Sequence, residues 1–352
     1  MIETIELAPG YRVSRLLKGG WQLSEGHSRT AQMADQAVAD MTAFADAGIT
    51  GFDCADIYTG VEALIGKFRE RYRRERGAAA LDRIKIHTKF VPDWSALGKL
   101  DRAHVEATID RSRQRLGQDR LDLVQFHWWN YQAPGLVETG QWLTELQRAG
   151  KIAQLGGTNF DTRHTAALLD SGMNLVSMQV QYSLLDARPE HGLVALAARH
   201  GIGLLCYGAL AGGFLGERWL GEAEPQGPFE NRSLTKYRLI IDEFGGWDLF
   251  QTLLRTLQRI ADKHSVKIGA VAIRHVLDRP QVAGVIVGAR SARHLADTIT
   301  ANRLRLDADD KAALAAVLAE RKGPAGDTFE LERDRDGKHG RIMKYDLNTI
   351  PA

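Results

Sequence analysis

Asp53, Tyr58, Lys89 and His127 are four residues whose types together suit the transfer of one proton. A hydride delivered to a carbonyl carbon leaves an oxyanion that must be protonated. A tyrosine can give that proton, but its free pKa near 10 hinders exchange at neutral pH. A nearby ammonium favours the phenolate, and a carboxylate holds the ammonium in place. Tyr58, Lys89 and Asp53 in contact would make a tuned general acid and base. His127 would hydrogen-bond the substrate carbonyl and polarise it. Taken singly, each has an ordinary reading. A strand-end lysine carries its head to water, an aspartate caps a turn, and a histidine in an apolar run is a hydrogen-bonded core residue. The chemistry needs a scaffold that gathers them.

The apolar runs describe one. Residues 15–23, 48–56 (GITGFDCAD), 83–90 (RIKIHTKF), 121–128 (LDLVQFHW), 151–159 (KIAQLGGTN), 175–182 (LVSMQVQY), 201–210 (GIGLLCYGAL) and 282–288 (VAGVIVG) read as short buried parallel strands. Between them, 32–47, 62–75, 102–116, 135–149, 163–171, 189–199 and 249–264 carry apolar residues at three- and four-residue spacing, as amphipathic helices do. Eight strands alternating with helices predict an α/β fold, a (β/α)8 TIM barrel closed by right-handed crossovers. An open doubly wound sheet is disfavoured, because no GxGxxG loop follows the first strand.

Barrel enzymes place their chemistry at the C-terminal strand ends. Strand two would supply Asp53, with Tyr58 just beyond it, strand three Lys89 and strand four His127. Strand five would supply Thr158 and Asn159, strand six Gln179 and Tyr182, and strand seven Tyr207. Four distinct groups thus converge on one mouth from three consecutive βα units. Trp21, Trp94 and Trp128 fall near strand ends, where they would line an aromatic substrate pocket together with Tyr58 and His127.

Residues 1–352 read as one barrel domain with additions. Residues 2–14 predict a strand pair that covers the barrel bottom. Residues 211–248, rich in Gly, Pro and aromatics, predict a long loop insertion after strand seven, a lid or an interface. The tail, 322–352, is charged at LERDRDGKHGR and ends in the more apolar IMKYDLNTI, which predicts partial docking. A net charge of +2 gives no reason to expect nucleic acid or membrane binding. No run reaches the roughly 20 apolar residues of a membrane span. The N-terminus lacks the pattern of a secretory signal, and the two cysteines, Cys54 and Cys206, suggest no disulfide framework. The expected location is the cytoplasm, and no metal cluster is expected.

The stretch GFDCADIYTGVEALIG resembles the aldo-keto reductase signature, and HTKF, LDLVQFHW, GGTNF, MQVQYSLL, YGALAGGFLG and VIVGARSARHLADTI are similar to later blocks of that family, in the same order. The resemblance spans roughly residues 5–320. It implies a tetrad of Asp53, Tyr58, Lys89 and His127, and an NADPH-dependent reduction of an aldehyde or ketone, or the reverse oxidation of an alcohol or sugar. It also implies a cofactor site. Gly20 and Trp21 would flank it, Thr158, Asn159 and Gln179 would hold the carboxamide, and Tyr207 would stack on the nicotinamide. Gly208, Ala209, Leu210 and Gly212 would approach the pyrophosphate. Gly288, Arg290, Ser291 and His294 would surround the adenosine ribose, with Arg290 on the 2′-phosphate, so NADPH is expected over NADH. Cys54, His294 and Thr298 depart from the usual residues. The alternative reading is a cofactor-sensing regulatory subunit resembling potassium-channel β-subunits.

Overall fold

The computed structural model describes residues 2–24 and 31–348. Strands β3 (Leu16–Gly19), β4 (Gly51–Asp53), β5 (Lys85–Phe90), β6 (Leu121–Phe126), β7 (Ile152–Thr158), β8 (Leu175–Gln181), β9 (Gly203–Tyr207) and β10 (Val282–Gly288) form a closed barrel. All eight run parallel, and β10 closes the ring by pairing with both β9 and β3. The eight-strand expectation holds. The first strand is shorter than predicted, because the chain leaves β3 for a 3-10 turn at Trp21–Leu23. Helix 189–199 also differs. Gly192, at φ 152°, divides it into a 3-10 turn, Arg188–His191, and a helix, Leu193–His200.

The two preceding strands, β1 (Thr4–Ala8) and β2 (Tyr11–Ser14), pair antiparallel as a lid on the lower end. Leu7, Tyr11 and Val13 pack there on Leu17, Leu123, Val176, Leu205 and Ile286, the inward residues of the barrel strands. The lower interior is thus filled largely by apolar side chains, with His87 stacked on Tyr11 above them. A larger apolar layer lies between the barrel and its helices, with Phe52, Phe68, Phe90, Val124, Phe126 and Phe160 among its members.

Residues 211–248 are not a bare loop. They carry two 3-10 turns and the helix Arg232–Phe244. Leu234, Ile240, Ile241 and Phe244 pack with Phe250, Leu254 and Leu257 of the next helix, Trp247–His264, in a second apolar cluster. The tail folds back across the barrel mouth. Within its charged run Glu332 and His339 are buried while Asp334, Arg335, Asp336 and Lys338 stay exposed, and Tyr345 packs on Trp94 and Trp129; residues 349–352 of the tail lie outside the described residues. Among the described residues, no helix is long and apolar enough to cross a membrane. Cys54 and Cys206 are buried free thiols.

Candidate active site

Strand register assembles the mouth. Asp53 ends β4 opposite His87 of β5, and the two-residue period of a strand puts Lys89 on the same inward face as His87. Lys89 is level with Gln125 of β6, and the same period places His127 just past the end of that strand. Gly20 must be glycine here, since a Cβ would lie 2.7 Å from the Asp53 carbonyl.

The Lys89 ammonium is buried and donates to both Asp53 oxygens, at 2.9 Å each, and to the Cys54 carbonyl at 2.8 Å. Asp53 Oδ1 also accepts from Gln125 at 3.2 Å and Gln179 at 2.6 Å. Burial opposes the Lys89 charge, but Asp53 and Tyr58 outweigh it and hold the ammonium well above its usual pKa. Nζ lies 5.0 Å from the Tyr58 ring centroid, and Trp21 meets that ring edge-on at 5.0 Å. The Tyr58 loop is fastened by Asp56, a buried carboxyl group whose oxygens accept from the amides of Ile57 and Val91.

Two expectations change in detail. Lys89 does pull the Tyr58 phenol down, but burial pushes it up and prevails, so the net shift is upward. The phenol is therefore protonated throughout the neutral range. His127 Nδ1 lies 3.0 Å from the Thr158 carbonyl, which can only accept, so Nδ1 carries the proton. Burial and the Arg333 charge depress the imidazole to about 3, so no second proton is present at neutral pH. Nε2, buried and unpartnered, is an acceptor. At the mouth the histidine therefore presents an acceptor, Nε2, because its proton is committed to the Thr158 carbonyl.

The pocket wall also differs from expectation. Trp128 faces away, fully buried against Phe126 and Gly135 between barrel and helices. The next residue, Trp129, faces the mouth instead, 4.3 Å from the His127 ring. Strand alternation after His127 contained that signal, since the residue two positions on shares its side. Phe329 of the tail stands 5.7 Å from His127, and Ile57, Val91, Trp94, Leu97 and Tyr345 complete an apolar cluster with Trp129 and Phe329. Tyr182 is turned away, and its hydroxyl donates to Glu190.

Of the residues expected to hold a cofactor, Tyr207 ends β9 and its hydroxyl donates to Asn159 Oδ1 at 2.8 Å. Gln179 Nε2 is engaged by Asp53 and Gln125, which leaves its Oε1 for an incoming amide. Thr158 contributes its carbonyl to His127. Gly208, Gly212 and Gly213 adopt positive φ, and the 208–213 turn carries Ala209 and Leu210 between β9 and a 3-10 turn. On the neighbouring strand, Gly288 ends β10 against Gln22, and the Ser291 hydroxyl accepts from the Arg293 amide as a turn cap. Arg290 and His294 are exposed; Arg290 makes no ion pair among the described residues, and His294 lies 3.8 Å from Asp297.

Fold and mouth together define a (β/α)8 enzyme with a buried lysine–aspartate pair beneath a tyrosine. The aldo/keto reductase family model matches residues 15–319, and the chain belongs to that family. Flagellar radial spoke protein 5 of Chlamydomonas reinhardtii is 29% identical over 260 residues, covering 64% of this chain and 49% of that protein, so the match spans about half that relative's length. The NADH-specific methylglyoxal reductase of Escherichia coli (strain K12) is 25% identical over 333 residues, 88% of this chain and 95% of that protein. The structure of an aldo-keto reductase from Klebsiella pneumoniae in complex with NADPH aligns with a TM-score of 0.70 at 23% identity, covering 93% of this chain and 99% of that one. That likeness is one of fold.

Proposed function

We propose that this mouth reduces an aldehyde or ketone with NADPH and runs the reverse alcohol oxidation with the same groups. The observation that carries the reading is the Lys89 ammonium, clamped by both Asp53 oxygens beneath the Tyr58 ring. When bound, the nicotinamide supplies the hydride. Tyr58 gives its hydroxyl proton to the substrate oxygen, and Lys89 stabilises the phenolate left behind. His127 Nε2 accepts from the alcohol once it has formed, which orients the oxygen without a second positive charge. The donor set suits a dinucleotide: a planar Tyr207 ring, the amides of Asn159 and Gln179, a turn rich in glycine, and an exposed Arg290 for a phosphate.

A panel of carbonyl substrates with NADPH and NADH, followed by absorbance, tests the reading directly. NADPH is expected to give the lower KM. Arg290→Ala should raise the NADPH KM about tenfold, the scale of one charge-assisted phosphate contact, and leave NADH nearly unchanged. The Escherichia coli relative shows that an NADH-specific reductase exists at this level of similarity. Equal KM values for the two cofactors in the wild type would remove the preference and leave the chemistry standing.

The aromatic wall favours carbonyl compounds with an aromatic body over small hydrophilic ones, because burying a ring against Trp129 and Phe329 gains area and edge-to-face contact. Benzaldehyde derivatives should therefore show a higher kcat/KM than methylglyoxal. Trp129→Ala should erase the difference by lowering the aromatic values about tenfold, roughly the loss of one ring contact.

A further inference from the structure

Lys18 is a buried cation that the proposed proton transfer does not use. It lies on β3 beside Val287 of β10, with a relative exposure of 2%. Its alternation with Leu17 and Gly19 points it out of the barrel interior, toward the helix Ala31–Asp46. There its ammonium donates to the Gly19 carbonyl at 2.8 Å and the Ala289 carbonyl at 2.7 Å, and stands 5.5 Å from the Phe44 ring centroid. Burying an unpaired ammonium is costly, so a lysine kept in such a place calls for an account. Methionine or leucine would fill the volume at no such cost.

The bond partners supply one. Gly19 ends β3, and Ala289 is the first residue beyond β10. The segment 288–294 begins there. Its next fixed point is the Ala292 amide, which donates to Asp40 Oδ1 at 3.1 Å, and Asp40 is the acidic group whose charge acts on Lys18. Gln36 steadies the same Asp40 oxygen at 3.3 Å. One cation and one carboxylate therefore hold the two ends of the 289–292 backbone against the barrel and the first helix. Arg290 and Ser291 project from the span between them, and neither is itself held by an ion pair among the described residues.

We infer that Lys18, with Asp40, is a positioning residue for the adenosine half of the dinucleotide: the pair preforms the 288–294 loop, so that Arg290 meets the 2′-phosphate without first ordering the backbone that carries it. This role rests on the cofactor reading above. A loop ordered in advance does not lose its conformational entropy on binding, so the gain falls on cofactor affinity and not on the chemical step. The ammonium is also poised to lose this grip. Burial lowers its pKa to about 8 against the opposing pull of Asp40, the charged group that acts on it. Above that pH the bond to Ala289 is no longer charge-assisted, and the loop is held less firmly.

Lys18→Met tests the clamp, with 2′,5′-ADP and NADPH as probes by titration calorimetry and steady-state kinetics in parallel. The expected result is an NADPH KM and a 2′,5′-ADP Kd raised about tenfold, the loss of one charge-assisted tether, with kcat at saturating NADPH within about twofold of the wild type. Wild-type affinity for 2′,5′-ADP should also weaken between about pH 7 and 9, around the depressed lysine pKa, and the methionine variant should lack that slope. Asp40→Ala, which frees the Ala292 amide, should move KM in the same direction and keeps the test usable if Lys18→Met does not fold. Unchanged affinities in both variants, with the wild type binding both probes, overturn the clamp alone. A wild type that binds neither probe overturns the cofactor reading and the clamp with it.

Discussion

Tyr58→Phe should lower kcat for carbonyl reduction about a thousandfold, the middle of the range for losing a positioned general acid. The substitution removes one hydroxyl and keeps the ring, so the edge-to-face contact with Trp21 and the approach of the Lys89 ammonium to the ring both survive. Cofactor affinity should accordingly move less than about threefold, because no dinucleotide contact has been taken away. The pH dependence gives a sharper check. Burial raises the Tyr58 phenol above its ordinary value, with Lys89 pulling the other way. The protonated form needed for reduction is therefore the majority form through neutral pH, and the reductive rate should be flat there and fall only on the alkaline side. Alcohol oxidation needs the phenolate, so its rate should climb with pH across the same range. Lys89→Met removes the opposing pull, raises the phenol further and should cost oxidation more than reduction at neutral pH. If the two directions shared one pH profile, Tyr58 would not be the group that exchanges the proton.

The barrel and the gathering of Asp53, Lys89 and His127 at its mouth were legible because both rest on local periodicity. A parallel strand buried on both faces reads as a continuous apolar run, and its last polar residue marks the mouth; Asp53, Lys89 and His127 were found that way. Interactions set by geometry after folding were not legible. The tautomer of His127 depends on the Thr158 carbonyl, a backbone atom from the neighbouring strand that no sequence pattern announces. The net direction of the Tyr58 shift depends on how far burial exceeds the Lys89 attraction, and burial belongs to the assembled mouth. Trp128 and Trp129 differ from these, for the two-residue alternation continued past β6 already sets Trp129 beside His127 and Trp128 in the core. The tail shows partial docking, but which of its residues dock is not legible: Glu332 and Arg333 are held inside by Arg188 and by the carbonyls of Trp128, Trp129 and Asn159, partners that lie far away in sequence.

Glu332 should be among the most sensitive positions outside the tetrad. Its carboxylate is fully buried and accepts from Arg188 at 2.8 and 3.0 Å, while Arg188 also donates to Asp186. Lys236 lies 4.0 Å away. Two cations and two anions thus balance in a cluster buried except at Lys236. Glu332→Ala leaves Arg188 and Lys236 facing Asp186 alone, a net positive charge, and breaking a buried pair in this way costs about 3–5 kcal/mol. Lys236 softens the loss, because burial already lowers its pKa and it can release a proton. The expected destabilisation is therefore about 3 kcal/mol by denaturant midpoint. Glu6→Ala, which removes the exposed partner of Arg12, should cost well under about 1 kcal/mol and serves as the control. The sign with pH follows from the direction of the shift. Arg188 and Lys236 hold the Glu332 carboxyl down, against burial, at about 2. A depressed carboxylate contributes its full stability above the unfolded value, near 4.3, and loses it as pH falls through about 2. The wild type should lose stability across that acid window, and Glu332→Ala should lose less there because it has already lost the group. The same substitution loosens residues 329–333, which carry Phe329 to His127 and Arg333 to the strand-end carbonyls, so KM for aromatic aldehydes should rise while the hydride and proton steps, whose groups are untouched, keep their rate at saturation. A variant with unaltered stability at neutral pH would mean that the tail is not held by this cluster.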